Sequence, residues 1–303
     1  MKELKTLRFC LIIILLCSRS SGFSQLSSSF YQDEDSLKVL FKTIRDAPDD
    51  SLKITANRQV IRILGEVLRK ESSFSNSFDS LSSVSKLLSP DKRFRIISWI
   101  LKSKDGQLFY FGFLQVAKDN GKSYSVIELR DSASTIRKPS RQTLDPDRWY
   151  GAIYYQIVPV RAAGITYYTM LGYATHDAFC SRKIIEVLYF EKDRPFFGAA
   201  IFDRGKEGIF RRVLLEYSAT ATISLRYDQQ EVELKSKWNT SKRNYIAKKR
   251  KISAIVFDRI VPLDPRLPDD PRFFVPEGSI YDGYYFHDGM WRFIENIDAK
   301  NSY

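Results

Sequence analysis

The stretch from Tyr150 to Tyr227 decides the fold. It is a series of short apolar runs with brief breaks: GAIYYQIVPV (151–160), ITYYTMLGY (165–173), KIIEVLYF (183–190), FFGAAIF (196–202), RRVLLEYS (211–218) and ATATISLRY (219–227). Runs of this length, rich in β-branched and aromatic residues and ended by Gly, Pro or charged residues, are typical of consecutive antiparallel strands. The last run alternates apolar and polar residues, which predicts a strand over 219–227 with one dry face and one wet face.

Further strands flank this stretch on both sides. Before it, Asp-Gly and Asn-Gly turns join the runs RFRIISWIL (93–101), LFYFGFLQV (108–116) and SYSVIEL (123–129). Such dipeptides between apolar runs indicate β-hairpins, so we expect a three-strand meander from about Phe94 to Leu129. After it, ISAIVFDRIVPL (252–263) reads as a strand, and a proline-punctuated connection leads to a last hairpin, YDGYYF-HDG-MWRFI (281–294).

The N-terminal part has helical periodicity instead. Residues 33–46 place Leu37, Leu40, Phe41 and Ile44 on one stripe. A second apolar stripe begins near Ser51 and predicts a second helix. The serine-rich segment 71–88 keeps apolar residues at helical spacing, which favours a third helix, although its composition also suits a flexible linker.

The chain opens with a basic segment, a short apolar core (CLIIILLC, 10–17) and a small-residue end (SRSSGFSQ, 18–25). This arrangement is typical of a secretory signal peptide, with cleavage expected before Gln25. Lipidation of Cys17 is the alternative, although the residue before it, Leu16, is larger than a lipobox usually has. We therefore expect an exported protein, periplasmic or associated with the outer membrane.

These patterns predict an α+β protein that is mostly antiparallel β. The expected organisation is a signal peptide over 1–24, a helical N-terminal segment over 25–90 and a large antiparallel β domain over 91–303. No later run is apolar enough for a membrane helix, so no transmembrane segment is expected after cleavage. Cleavage would also leave Cys180 as the single cysteine, which excludes a disulfide framework within the mature chain.

The formal net charge is +12, and one segment concentrates it. Residues 235–251, KSKWNTSKRNYIAKKRK, hold eight basic residues and no acid, together with two aromatic residues. Such a run could bind an anionic surface, with contacts from Lys248, Lys249, Arg250 and Lys251. It also suits a solvated hairpin tip or an edge strand kept from aggregating by lysines. The expected partner is an envelope glycan or an anionic lipid, and nucleic acid is not expected for an exported protein.

Acidic and aromatic residues cluster near the C-terminus. This composition suits a glycan-binding cleft or, with two paired carboxylates, a glycoside hydrolase. The residues expected to contact such a ligand are Asp282, Tyr284, His287, Asp288 and Trp291. The same sequence is typical of turns between strands, where Asp is a common turn former.

The two histidines, His176 and His287, are candidates for a nucleophilic or metal site. The segment THDAFC brings His176, Asp177 and Cys180 together in sequence, and a nucleophilic pair of Cys180 with His287 is conceivable. No local zinc, cofactor or nucleophile-elbow motif supports these arrangements. We therefore predict no metal and no cofactor.

Several segments together resemble a group of uncharacterised exported proteins of the Bacteroidetes. They are the signal segment, SPDKRFRIISW (89–99), YYTMLGYATHDAFCSRKIIEVLYF (167–190), IVFDRIVPL (255–263) and SIYDGYYFHDGMWRF (279–293). The resemblance implies export and attaches no activity or catalytic residue. The expected function is a non-enzymatic binding or envelope-structural protein, and the alternative is a glycan hydrolase that uses the acids and aromatics of residues 262–291.

Overall fold

The computed structural model describes residues 32–118, 121, 123–175, 178–239 and 244–297, with only the backbone for 232–239 and 244–249. The chain divides into two compact units, one ending at Ser83 and one beginning at Val84.

The first unit contains the two predicted helices. Helix α1 spans 32–46 and α2 spans Asp50–Leu68. Asp49 caps α2 by accepting a hydrogen bond from the Ser51 backbone N–H at 2.6 Å. The apolar stripes are buried as expected, with Leu37 and Val60 both fully buried.

The predicted third helix is wrong. A short 3₁₀ helix, Glu71–Ser75, is followed by turns and then by strand β1, Ser85–Leu88. The Asn76 side chain accepts a hydrogen bond from the Phe78 N–H at 2.7 Å, and Phe78 has a φ of 51°. Side-chain hydrogen bonds of this kind compete with helix formation, and they outweigh the apolar spacing here.

The second unit consists of three β-sheets. The front sheet has the order β1-β2-β3-β4, the middle sheet β11-β7-β6-β5 with β8 beside β7, and the back sheet β10-β9-β15-β14-β13-β12. The remaining strands are β2 Phe94–Lys102, β3 Leu108–Lys118, β4 Ser123–Arg130, β5 Ile153–Ala162, β6 Ile165–Tyr173, β7 Cys180–Glu191, β8 Arg194–Phe197, β9 Phe202–Asp203, β10 Ile209–Phe210, β11 Val213–Ser218, β12 Leu225–Asn239, β13 Asn244–Pro262, β14 Phe274–His287 and β15 Met290–Ile297.

The middle sheet is buried on both faces. Tyr168 and Met170 of β6 belong to the core shared with the front sheet. Their neighbour Leu171 belongs to the second core, which is shared with the back sheet. All three are fully buried, so the middle sheet is the inner layer of a three-layer β unit.

The predicted fold class is confirmed: two N-terminal helices precede a large, mostly antiparallel β unit. The meander is also confirmed, with β2, β3 and β4 paired in sequence order. The strand predicted over 219–227 is wrong in its first part, because β12 begins at Leu225 and residues 219–224 form a turn and an irregular segment. None of the described helices has the length and apolar character that a membrane crossing requires.

A buried ion pair anchors the long connection between β4 and β5 to the middle sheet. Arg212 Nε donates to Glu186 Oε1 at 2.6 Å, and both side chains are fully buried. Tyr154 donates its hydroxyl hydrogen to the other oxygen of Glu186, and it accepts a hydrogen bond from Trp149 Nε1 at 3.0 Å. All four side chains are therefore satisfied without water.

The remaining donors of Arg212 point to backbone carbonyls. Its guanidinium donates to the carbonyl oxygens of Pro139, Gln142 and Phe197. Gly198 lies against this group with a φ of +90°, and a Cβ there would come within 2.8 Å of Arg212 Nη2. These hydrogen bonds to the Arg212 guanidinium thus determine the path of the β4–β5 connection.

We expect Glu186→Gln to lower the free energy of unfolding of the β unit by about 3–5 kcal/mol, because it leaves Arg212 buried without its counter-charge. Urea denaturation followed by fluorescence would measure the change. Arg130→Gln is the matched control, since its ion pair with Asp147 is mostly exposed and should contribute little. Equal effects of the two substitutions would contradict the anchoring role.

Candidate functional site

A cleft of the β unit lies along β11, the edge strand of the middle sheet. It has a volume of about 590 Å³ and is bounded by the β4–β5 connection on one side. The lining side chains are mixed in character: Ala133, Ser134, Ile136, Pro139, Ser140, Tyr150, Arg182, Arg204, Phe210, Arg212, Val213, Leu214 and Glu216.

The charged floor of this cleft is an ion pair between neighbouring strands. Arg182 of β7 donates through Nε to Glu216 Oε1 of β11 at 2.7 Å, and the two residues are direct cross-strand partners. The Arg182 guanidinium lies 5.8 Å from the ring centroid of Tyr150, and that of Arg212 lies 5.9 Å from it. Burial raises the pKa of the Tyr150 hydroxyl to about 12.

The cleft does not carry the paired carboxylates of a hydrolase. Glu216 is the one carboxylate among its lining residues, and it is bound to Arg182. Arg212 uses its donors on Glu186 and on backbone carbonyls, so its role is structural. These ion pairs stabilise the edge of the middle sheet. They do not form an acid–base pair of the kind that a hydrolase uses.

The five residues predicted to contact a ligand do not converge on one surface. Tyr284 and Trp291 are fully buried in the core between the middle and back sheets, where Trp291 Nε1 donates to Thr169 Oγ1 at 2.9 Å. Asp282 is buried and bound to Arg259 at 3.0 Å. His287 and Asp288 lie on the β14–β15 turn with side chains 62% and 76% exposed.

Two acidic residues of the connection between β13 and β14 are bound to arginines. Asp264 binds Arg266 and Asp270 binds Arg272, each at 2.6 Å within its own turn. These arginines lower the pKa of both carboxyl groups, whereas a general acid requires a raised pKa. The turn-forming role that the sequence allowed is the one these residues adopt.

Cys180 and His287 lie near opposite ends of the middle sheet. The turn after His287 lies beside the β5–β6 turn, since a Cβ on Gly289 would be 3.1 Å from the Ala162 Cβ. Cys180 begins β7 beyond the opposite end of β6, so the strand length of β6 lies between the two groups and they form no pair. His176 and Asp177 lie outside the described residues, and no described set of three or more His, Cys, Asp or Glu side chains could hold a metal ion.

The basic run lies on a two-stranded ribbon that extends beyond the back sheet. Strands β12 and β13 pair along their whole length, but β14 pairs with β13 only from Ala254 onward. From Gln229 and Ser253 to Asn239 and Asn244, the described ribbon has no third strand beside it. At about 3.3 Å per residue this part is about 30 Å long.

Half of the formal net charge lies in the sequence segment that contains these two strands. Residues 229–253 include eight basic and two acidic residues, a net charge of +6 out of +12 for the chain. Arg250 and Lys251 are exposed. Lys248 and Lys249 continue the same strand, with Leu234 and Glu233 as their register partners on β12. The structure therefore brings the four predicted surface-contact residues onto one projecting element.

The sequence did not identify Arg182, Glu216 or the buried pair of Arg212 with Glu186. The one local indication is a charged residue inside an apolar strand, as with Glu186 in KIIEVLYF, because such a residue needs a buried partner. The partner lies 26 positions away, so it cannot be identified from local pattern.

Comparison of the chain with protein-family models, with curated proteins and with solved structures found no match.

We expect the β unit to lose stability between about pH 10 and pH 12. An unfolded tyrosine ionises near pH 10, whereas buried Tyr150 keeps its proton to about 12, so the unfolded state releases the proton first and stability falls as pH rises. The loss attributable to Tyr150 is about 2–3 kcal/mol. Urea denaturation across this range would show it, and Tyr150→Phe should reduce the slope. An unchanged slope in that variant would contradict the assignment.

Proposed function

We propose that this protein is a non-enzymatic binding protein of the cell envelope that attaches to an anionic surface through the β12–β13 ribbon. The observation that carries the proposal is the ribbon itself, which extends about 30 Å beyond its sheet and whose described strands hold six basic and two acidic residues. A charged element that projects from the fold can contact a surface along its length, and each basic residue near an anionic membrane contributes about 1 kcal/mol.

Export supports the choice of partner. The N-terminal segment has the three-part organisation of a signal peptide, so the ribbon would meet envelope lipids or glycans rather than nucleic acid. Periplasmic or outer-membrane-associated localisation is part of this proposal.

The second candidate, a glycan hydrolase using residues 262–291, has one observation in its favour. Glu277 and Asp282 both contact Arg259, at 3.9 and 3.0 Å, so two carboxylates lie on either side of one guanidinium. A glycan and lipid array read beside a mass measurement of the oligomer distinguishes the classes. Binding without turnover favours the proposal, and glycan cleavage that Glu277→Gln abolishes would overturn it.

Neutralising the basic cluster should remove attachment to anionic surfaces. We expect the variant with Lys248, Lys249, Arg250 and Lys251 all changed to Gln to bind vesicles containing 30% anionic lipid at least about a hundredfold more weakly than the wild type. Co-sedimentation at several salt concentrations would measure this. Wild-type binding should weaken as salt rises.

The matched control changes four exposed basic residues outside the ribbon to Gln: Arg137, Lys138, Lys192 and Arg194. It has the same net charge as the ribbon variant and should bind nearly as well as the wild type. If the ribbon variant kept its affinity, or if both variants lost it equally, the proposed function would be wrong.

A further inference from the structure

The two faces of the β12–β13 ribbon differ in composition, and the packing of the back sheet identifies them. Ile255 and Phe257 of β13 belong to the core shared with the middle sheet. Ala254 and Val256 belong to a small cluster on the opposite side, which we call the outer face of the back sheet. Ile252 packs against that cluster, so even-numbered positions of β13 continue the outer face onto the ribbon.

Register extends this assignment to β12. On the inner face, Glu231 is the partner of Lys251 and Glu233 is the partner of Lys249. Both acids of the ribbon therefore stand opposite lysines. Opposite charges directly across an antiparallel pair stabilise it, so Lys249 and Lys251 have stabilising register partners. Lys235 stands opposite Ala247.

The outer-face positions have a different pattern. Val232 is the register partner of Arg250, and Leu234 is the partner of Lys248. With Ile246 and Ile252, this face alternates apolar and basic residues, and its positions in 230–234 and 246–252 include no acid. By register, the nearest acid at a described outer-face position is Asp228, the partner of Ala254 in the body of the back sheet.

This face also continues onto the body of the back sheet. Tyr281, Tyr285 and Ile294 lie partly buried in the outer cluster beside Ile252. The His287 ring is stacked on Tyr285 with 6.1 Å between centroids. The outer face thus carries apolar, aromatic and cationic positions on the ribbon and the sheet, with Ala254 and Val256 fully buried between them.

We propose that the outer face of the ribbon docks on an anionic lipid bilayer, with Lys248 and Arg250 at the headgroups and the apolar positions between them at the boundary with the acyl chains. The inference rests on the proposed function and adds the face and the partner. A soluble polyanion would require only the cations, whereas alternating apolar and basic residues match the chemistry of a membrane interface.

The test compares two variants of equal charge. Lys248→Gln with Arg250→Gln neutralises the outer face, and Lys249→Gln with Lys251→Gln neutralises the inner face. Binding to vesicles with 30% phosphatidylserine should fall about thirtyfold or more in the first variant and less than about threefold in the second. Circular dichroism and thermal melting would confirm that both fold like the wild type.

A third variant tests the choice of a lipid partner. Val232→Thr with Leu234→Thr keeps β propensity and charge but removes apolar contact from the outer face. It should lose at least half of the vesicle binding that persists at high salt, and it should bind a soluble polyanion such as heparin like the wild type. Unchanged high-salt vesicle binding would overturn the membrane assignment.

The outcomes separate the two proposals. Equal losses in the outer-face and inner-face variants would overturn the assignment of the face and leave the proposed function standing. Undiminished binding in the variant that lacks all four basic residues would overturn both.

Discussion

The fully buried ion pair between Arg212 and Glu186 is the interaction on which the candidate cleft depends. The middle sheet is dry on both faces, so a charge in one of its strands is tolerated only with a complete set of partners. Arg212 supplies these partners and also binds carbonyl oxygens of the β4–β5 connection. The path of that connection, which forms one wall of the cleft, is therefore determined by the partners that the buried Glu186 carboxylate requires.

The same requirement explains why residues that looked like ligand contacts are structural. Trp291 and Tyr284 lie on the face of the back sheet that packs against the middle sheet. The indole N–H of Trp291 donates a hydrogen bond to Thr169 of the middle sheet. Asp282 is buried beside Arg259, and it also accepts a hydrogen bond from the Asn296 N–H at 3.1 Å. Polar groups with internal partners gain less from a ligand, since binding must first replace those hydrogen bonds.

The β12–β13 ribbon differs from this part of the structure, in which Trp291 and Asp282 have hydrogen-bond partners inside the protein. By register, its inner face pairs Glu231 and Glu233 with lysines, whereas its outer-face positions in 230–234 and 246–252 include basic and apolar residues and no acid. A projecting two-stranded element buries little surface of its own, so its composition is under few constraints from folding. This difference in charge between the two faces is the observation on which the proposed membrane contact rests.

The sequence by itself determined the two helices, the meander and the closing hairpin, because periodicity and turn chemistry act over a few residues. It failed at Phe78 and at residues 219–224, where side-chain hydrogen bonds and tertiary packing overrode the local pattern. Only the tertiary structure decided that the stretch from Tyr150 to Tyr227 forms most of a middle layer that is buried on both faces. It also decided that Glu186 contacts Arg212 and which face of β13 carries Lys248 and Arg250. A period of two separates two faces of a strand, but only the packing of one sheet on another determines which of them is buried.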